Sequence, residues 1–497
     1  MKKNVLCLSR SYLARLLPTL GQHHPEANYF HIVQTDKEAA LVTSLGGTVV
    51  LNIQSIIRQG LSEPNCPQWE EPADLRAVTS FMWSPLYSDR YLSHFSKEQR
   101  LKIAGVLDRE IKKLFEIQTF DGFLSEPVAL FITHILFYYS RKNNVRPLLW
   151  CNTYFSGYFY FADGPEISQP IRKTPIDDEA IVNLEKTIQD YAHGIVADST
   201  GPIYHHAFSG VKKNRWSYFK QRKGESPLVL NAGVISRLIQ FARLARATLA
   251  RLLFPVASDF MTAGAVSEHI FYLKCLFAPT SAYDTFPAEF SKDNAVYPLQ
   301  YEPEASLLYF APHIVNQLSF VESILRALPE GKVLWIKEHP NQFGALGNKQ
   351  WLALKKRYHN VRFVHGRQNG RELIKRSALV VSISSTMGLD ALLLGRTTLV
   401  AGSVFYNNYN GSIRISSYKE LAVELNKISN YESRFNVDAN IVNLLELGKK
   451  SYLGDPQPSN FLYSEKNIND LVKAIDAELT AEENIKTECV EYDGTQV

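Results

Sequence analysis

Five short apolar runs in the second half of the chain, separated by lengths that suit helices, constrain the fold more than any other feature. They occupy residues 295–299, 333–336, 361–364, 379–383 and 397–401, and β-branched residues recur in them. A run that is apolar on both faces must be covered on both faces, which parallel strands with helical crossovers arrange and exposed hairpins do not. Residues 312–328 fill the first gap with Ile314, Val315, Leu318, Val321, Ile324 and Leu325 at helical spacing, and Pro329-Glu330-Gly331 ends them. Residues 388–394 fill the last gap before Gly395. This alternation predicts a Rossmann-like α/β domain over 291–480.

The first half is less regular but similar in kind, with strand candidates at 5–8, 29–33, 48–51 and 148–151 and a helix near 128–139. It predicts a second α/β domain over 1–290. Two such domains facing each other place strand carboxyl ends along a cleft, where ligands of open α/β sheets sit. The tail 481–497, rich in Glu and Thr, has the composition of a disordered segment.

The chain has 497 residues, 45% hydrophobic and 12% aromatic, enough for two or three cores. Its 54 Lys and Arg against 50 Asp and Glu are too even for a protein devoted to nucleic-acid phosphates. Five scattered cysteines at 7, 66, 151, 275 and 489 show no metal-ligand spacing, so no metal site is expected, and they suit reduced thiols. The first ten residues carry too short an apolar run for a signal peptide and read as a strand. No apolar segment reaches the roughly 18 to 20 residues that span a bilayer. A cytoplasmic protein is expected.

Charge is concentrated locally. Lys212, Lys213, Arg215, Lys220, Arg222 and Lys223 alternate with Trp216, Tyr218 and Phe219. Residues 234–253 then place Val234, Ile235, Leu238, Phe241, Ala245, Leu249 and Leu252 on one side of a helix and Arg237, Arg243, Arg246 and Arg251 on the other, with Ile239 and Leu244 outside that division. Glu225 is the sole acid between Lys212 and Ser258. Such a segment suits the anionic inner face of a membrane. A helix packed on the core with a solvated basic face has the same pattern.

Three stretches carry chemistry. In "VVSISSTMGLDALLLG", a strand runs into Ser384, Ser385 and Thr386 and then into a helix, so hydroxyls and N–H groups meet at a helix N-terminus, a natural anion site. Gly388 would admit a ligand close to the backbone, and Asp390 would complement the dipole or hold a ligand hydroxyl. An ordinary Ser/Thr cap is the alternative. In "WIKEHP", Lys337 offers charge for a phosphate, His339 a group that titrates near neutrality, and Pro340 a stop to the strand. In "VYPLQYEPEAS", Glu302 and Glu304 bracket Pro303 after a strand, and two carboxylates near a cleft can divide into nucleophile and acid or base.

The order "PLQYEPEAS", "KEHP", "SSTMGLDALLLG" and "VAGSVFYN" resembles the bacterial capsule polysaccharide synthesis family, which includes the retaining β-Kdo transferases that use CMP-Kdo. The resemblance covers residues 296–412, and the first half only in architecture. It implies two Rossmann-like domains in the arrangement called GT-B, a nucleotide-sugar donor with CMP favoured, no metal or other cofactor, and a polysaccharide or lipid-linked acceptor. It also implies that His339, Pro340, Ser384, Ser385 and Thr386 meet the donor's phosphate and that Glu304 stands at the nucleophile position, where the Kdo transferases carry Asp. Asp390 falls where relatives more often carry Glu.

In the first half, Glu126 and Pro127 follow a short apolar stretch and precede a helix, making Glu126 a candidate acceptor-side base. His205 and His206 lack the spacing of a metal pair. Competing readings are a nucleotide-sugar 2-epimerase, a polyol-phosphate transferase and a non-catalytic assembly or export partner.

Overall fold

The computed structural model describes residues 2–162, 164, 170, 178–197, 234–253, 259–276, 280–284, 294–301, 309–314, 316–339, 342, 344–366, 368–431, 436–459 and 461–481. The basic run 212–223 and the tail beyond 481 lie outside them.

Two sheets organise the chain. The first contains β1 (Lys3–Ser9), β2 (Ala27–Val33), β3 (Thr48–Asn52), β4 (Gly122–Ser125), β5 (Arg146–Asn152) and β6 (Tyr158–Ala162). The second contains β7 (Ala295–Pro298), β8 (Leu334–Lys337), β9 (Val361–Val364), β10 (Leu379–Ser382), β11 (Thr397–Val400) and β12 (Ser412–Arg414). A final strand, β13 (Tyr452–Leu453), joins the first.

The second sheet has the order β12-β11-β10-β7-β8-β9 with every pair parallel. The first has the order β13-β6-β5-β4-β1-β2-β3, parallel from β5 to β3 and antiparallel at β6 and β13. Both are Rossmann-like, as the alternation of apolar runs predicts. The strands β7, β8 and β10 are buried throughout, which is why they read as continuous apolar runs and not as alternating ones.

The end of the chain departs from the expected boundary. β13 pairs with β6, and the helix Glu465–Thr480 packs Ile468, Leu471, Ile475 and Leu479 against Val5, Cys7, Leu124, Leu148 and Trp150 of the first sheet. Residues 452–480 therefore belong with the first domain. Their apolar stripe covers a sheet face that would otherwise meet water. Buried Glu478 secures the return, accepting from Arg146 Nη2 on β5 and from the Tyr452 hydroxyl on β13.

The halves also share a core. Leu136 and Tyr160 of the first half and Leu389, Leu392 and Tyr406 of the second lie in one apolar cluster. Phe81 stacks on Tyr309 at 4.6 Å, Tyr154 meets Phe405, and Lys375 Nζ donates to the Val196 carbonyl at 3.0 Å.

The helix Val234–Leu253 packs with an unexpected face. Leu244 and Thr248 are buried, whereas Leu238, Phe241, Leu249 and Leu252 are 41–60% exposed. Leu244, which fell outside the amphipathic division, makes the contact, and the apolar stripe faces solvent beside exposed Arg243 and Arg246. No helix among the described residues is long and apolar enough to cross a membrane.

If the return helix completes the first core, Leu471→Ala lowers unfolding free energy by about 2–5 kcal/mol, the usual cost of a large-to-small change at a buried leucine. Urea unfolding followed by circular dichroism measures this, and an unchanged midpoint would detach the helix from that core.

Candidate functional site

β7 and β10 are neighbours at the centre of the second sheet, and the chain leaves them in opposite directions, through β8 and β9 on one side and β11 and β12 on the other. Their carboxyl ends form the topological switch point, where the diverging loops open a crevice.

Gln300, just after β7, reaches across to the turn after β10. With its amide oxygen facing that turn it accepts from the N–H groups of Ser384 at 3.0 Å and Ser385 at 3.2 Å and from the Ser384 hydroxyl at 2.5 Å. Buried Gln317 fixes Gln300 in turn, its Oε1 accepting from the Gln300 N–H at 2.7 Å and its Nε2 donating to the Gln300 carbonyl at 3.0 Å. Neither glutamine was singled out from the sequence. The only signal was that Gln300 stands inside "PLQYEPEAS".

The serine turn is thus more engaged than a Ser-Ser-Thr string implies. Ser385 caps the helix Thr386–Leu393, accepting from Met387 N–H at 3.2 Å, and its own N–H also donates to Ser382 Oγ at 3.0 Å. Thr386 opens that helix, half-buried. The Tyr406 hydroxyl donates to the Ser385 carbonyl at 2.6 Å, and a Cβ on Gly388 would stand 2.7 Å from that hydroxyl. Gly388 makes room for Tyr406, a packing reason for the glycine that the sequence did not suggest. Asp390 accepts from Arg371 Nε at 3.0 Å in a nearly buried ion pair, so it is held by the protein and not presented as a bare sugar-hydroxyl acceptor.

The three ionisable residues after β8 separate by role. Glu338 is fully buried. It accepts from the Tyr283 hydroxyl at 2.7 Å, Leu346 N–H at 3.2 Å and Gly366 N–H at 3.3 Å, tying together the loops that follow β8 and β9. Burial pushes its carboxyl up to about 7 despite these bonds. Lys337 is also buried, donating to the carbonyls of Gly366 at 2.9 Å and Glu338 at 3.3 Å, and burial brings it down to about 8. His339 lies edge-on to Tyr301 at 5.9 Å, and burial next to Lys337 lowers it to about 4. It is therefore neutral near pH 7, a correction to the expectation of a titrating cation. Pro340, Glu302 and Glu304 lie outside the described residues.

The first sheet has its own switch point between β1 and β4, and Glu126 sits there. It accepts from Arg10 Nη2 at 2.8 Å and from the Tyr12 hydroxyl at 3.2 Å, both donors following β1. Sequence reading had selected Glu126 but neither partner. Among the described residues no group of three or more His, Cys, Asp or Glu could hold a metal ion.

A two-domain α/β protein with polar clusters at both strand-end crevices is the class that fold and site define. Residues 280–411, which contain β7 to β11, match the family described as capsule polysaccharide biosynthesis protein. Protein FixF of Sinorhizobium fredii is 25% identical over 123 residues, 24% of this chain. The match spans 29% of that relative's length. Among solved structures, the UDP-GlcNAc 2-epimerase of Neisseria meningitidis bound to UDP-GlcNAc is 12% identical, covering 90% of this chain and 97% of its own, with a TM-score of 0.27. The β-Kdo 2,7 transferase KpsC of Thermosulfurimonas dismutans is 12% identical, covering 74% and 89%, with a TM-score of 0.32. A glycosyltransferase from Rickettsia africae is 8% identical, covering 97% and 100%, with a TM-score of 0.30. Likenesses this remote assign no activity.

Glu338 gives a pH test. Because its folded-state value is raised, the native protein keeps a proton that the unfolded chain releases, so its contribution is present below about pH 4.5 and lost as pH rises through about 7. Glu338→Gln sets an amide against the Gly366 N–H and costs about 1–3 kcal/mol at pH 5. That deficit should shrink by pH 8, because only the wild type pays for the buried charge. Thermal unfolding across this range checks it, and a deficit that grows with pH would contradict the assignment.

Proposed function

We propose that the protein is a glycosyltransferase that moves a sugar from a nucleotide donor to a growing capsule or other surface polysaccharide, with CMP-Kdo the favoured donor and retention of configuration. One observation carries this reading: the segment matched to the capsule family spans the strands and the helix that meet at the switch point of the second sheet.

In this scheme the donor's phosphate lies at the N-terminus of the helix Thr386–Leu393, where the Ser384 and Ser385 amides and hydroxyls and neutral His339 donate to it. It competes with Gln300 for the two amides, which sets a threshold that only a strong acceptor passes. Lys337 stabilises the phosphate at longer range while holding the Gly366 loop. Glu304 attacks the anomeric carbon as the bond to the leaving phosphate breaks and CMP departs. An acceptor hydroxyl then displaces Glu304 while a base takes its proton. Glu126, held by Arg10 and Tyr12 at the facing sheet, is the proposed base, and Glu302 flanks the nucleophile. No metal enters this scheme.

Thermal-shift screening against CMP, UDP, GDP and CDP should show stabilisation by CMP, reduced in His339→Ala and Ser385→Ala. Preference for UDP would count against the Kdo-type donor and favour the epimerase. Glu304→Gln should lower turnover by at least about a hundredfold without abolishing the CMP shift.

The same scheme places the enzyme at the inner face of the cytoplasmic membrane. The exposed stripe Leu238, Phe241, Leu249 and Leu252 beside Arg243 and Arg246 is what an interfacial helix presents to anionic lipid. Co-sedimentation with phosphatidylglycerol vesicles should fall in Leu249→Glu/Leu252→Glu and with rising salt; binding that survives the double change would exclude this face.

A further inference from the structure

The segment 81–91 holds a cluster of rings and sulfur that packing does not explain. Met82 is 65% exposed, Trp83 46% and Tyr87 65%, although the residues between and around them are anchored. Phe81 is buried and stacked on Tyr309 of the second half. Pro85 opens the short helix Pro85–Ser88, and Leu86 points into the core. Arg76 donates through Nη1 to the Met82 carbonyl at 2.6 Å and through Nε to Glu71 at 2.7 Å. Buried Asp89 accepts from the Tyr91 and Leu92 N–H groups at 2.7 and 2.8 Å and from the Phe131 N–H at 2.7 Å. The backbone beneath the exposed side chains is thus held at both ends.

Large side chains kept in water on a fixed backbone mark a contact surface. Its place in the fold says with what. Phe81 ties one end to the second domain, and at the other end Asp89 accepts from the N–H of Phe131, which opens the helix that follows Glu126. The cluster therefore borders the seam between the domains on the side of Glu126. We propose that Trp83 and Tyr87, with Met82, form a subsite for the carbohydrate acceptor, their faces stacking on the apolar C–H faces of sugar rings. This rests on the glycosyltransferase reading above.

A sugar suits the site better than a lipid surface does. The adjacent charges are a guanidinium already paired with a carboxylate, Arg76 with Glu71, and Arg100, whose guanidinium lies 5.8 Å from the centre of the Tyr87 ring. Such neighbours offer hydrogen bonds to hydroxyls without the excess of cations over acids in the sequence of residues 212–253. Rings carried on a backbone held before binding also lose less freedom on contact than rings on a free loop, which favours a weakly held, repeating polymer.

The test is retention of the full-length protein in native gels containing oligosaccharides prepared from the surface polysaccharide of the source cells, run beside the CMP thermal shift. Trp83→Ala and Tyr87→Ala should each weaken retention about five- to tenfold, and Trp83→Phe should keep most of it. Circular dichroism and the CMP shift should stay as in the wild type, because the rings are exposed and neither is among the groups assigned to the donor. Retention that is absent in the wild type or unchanged in both variants overturns the subsite. Loss of vesicle binding in place of oligosaccharide binding overturns it in favour of lipid. A wild type that shows no shift with any nucleotide refutes the donor reading, while retention still decides the platform.

Discussion

The reversal of direction between β7 and β10 is the constraint on which the rest of the second domain depends. Two parallel strands whose crossovers leave on opposite sides cannot close their carboxyl ends with backbone, so side chains must fill the gap. Here Gln317 fixes Gln300, and Gln300 reaches the serine turn. The chain of amides satisfies buried donors and acceptors that would otherwise be unpaired, and it also fixes the entrance to the helix Thr386–Leu393. Structure and candidate binding surface are the same set of groups.

The first sheet repeats the arrangement with charge in place of amides. Arg10 and Tyr12 follow β1, Glu126 follows β4, and their hydrogen bonds bridge the equivalent gap. The two crevices belong to one molecule because the chain crosses back. β13 and the helix Glu465–Thr480, which follow the second sheet in the chain, complete the first, so the domains are joined at two places in sequence and by a shared apolar cluster. Any relative movement of the halves must bend both connections.

Five of the six strands in the second sheet were legible because burial writes an apolar run directly into the sequence, whereas the edge strand β12, partly exposed, left no such run. β4 was harder to read: Gly122-Phe123-Leu124-Ser125 is short and is buried by neighbours far away in the chain. The return of residues 452–480 left no local trace either, since an amphipathic helix does not state which sheet it will cover. Helix Val234–Leu253 shows the limit of periodicity most clearly. The spacing located its apolar stripe, but Leu244 and Thr248, outside the stripe, make the buried contact.

The stretch Lys337-Glu338-His339 shows why identity of residues is a weaker guide to a site than their surroundings. Read as a string, it offers a cation, an acid and a titrating base. Once folded, desolvation opposes charge on all three. Glu338 gives its acceptors to two loops, Lys337 gives donors to their carbonyls, and both act by fixing where the chain goes after β8 and β9. His339 follows this braced pair and inherits its position from them. A neutral imidazole on a rigid support can donate one well-directed hydrogen bond without first shedding the water that a charged one would hold, which is the property an anion-binding corner needs when its net charge is supplied from nearby.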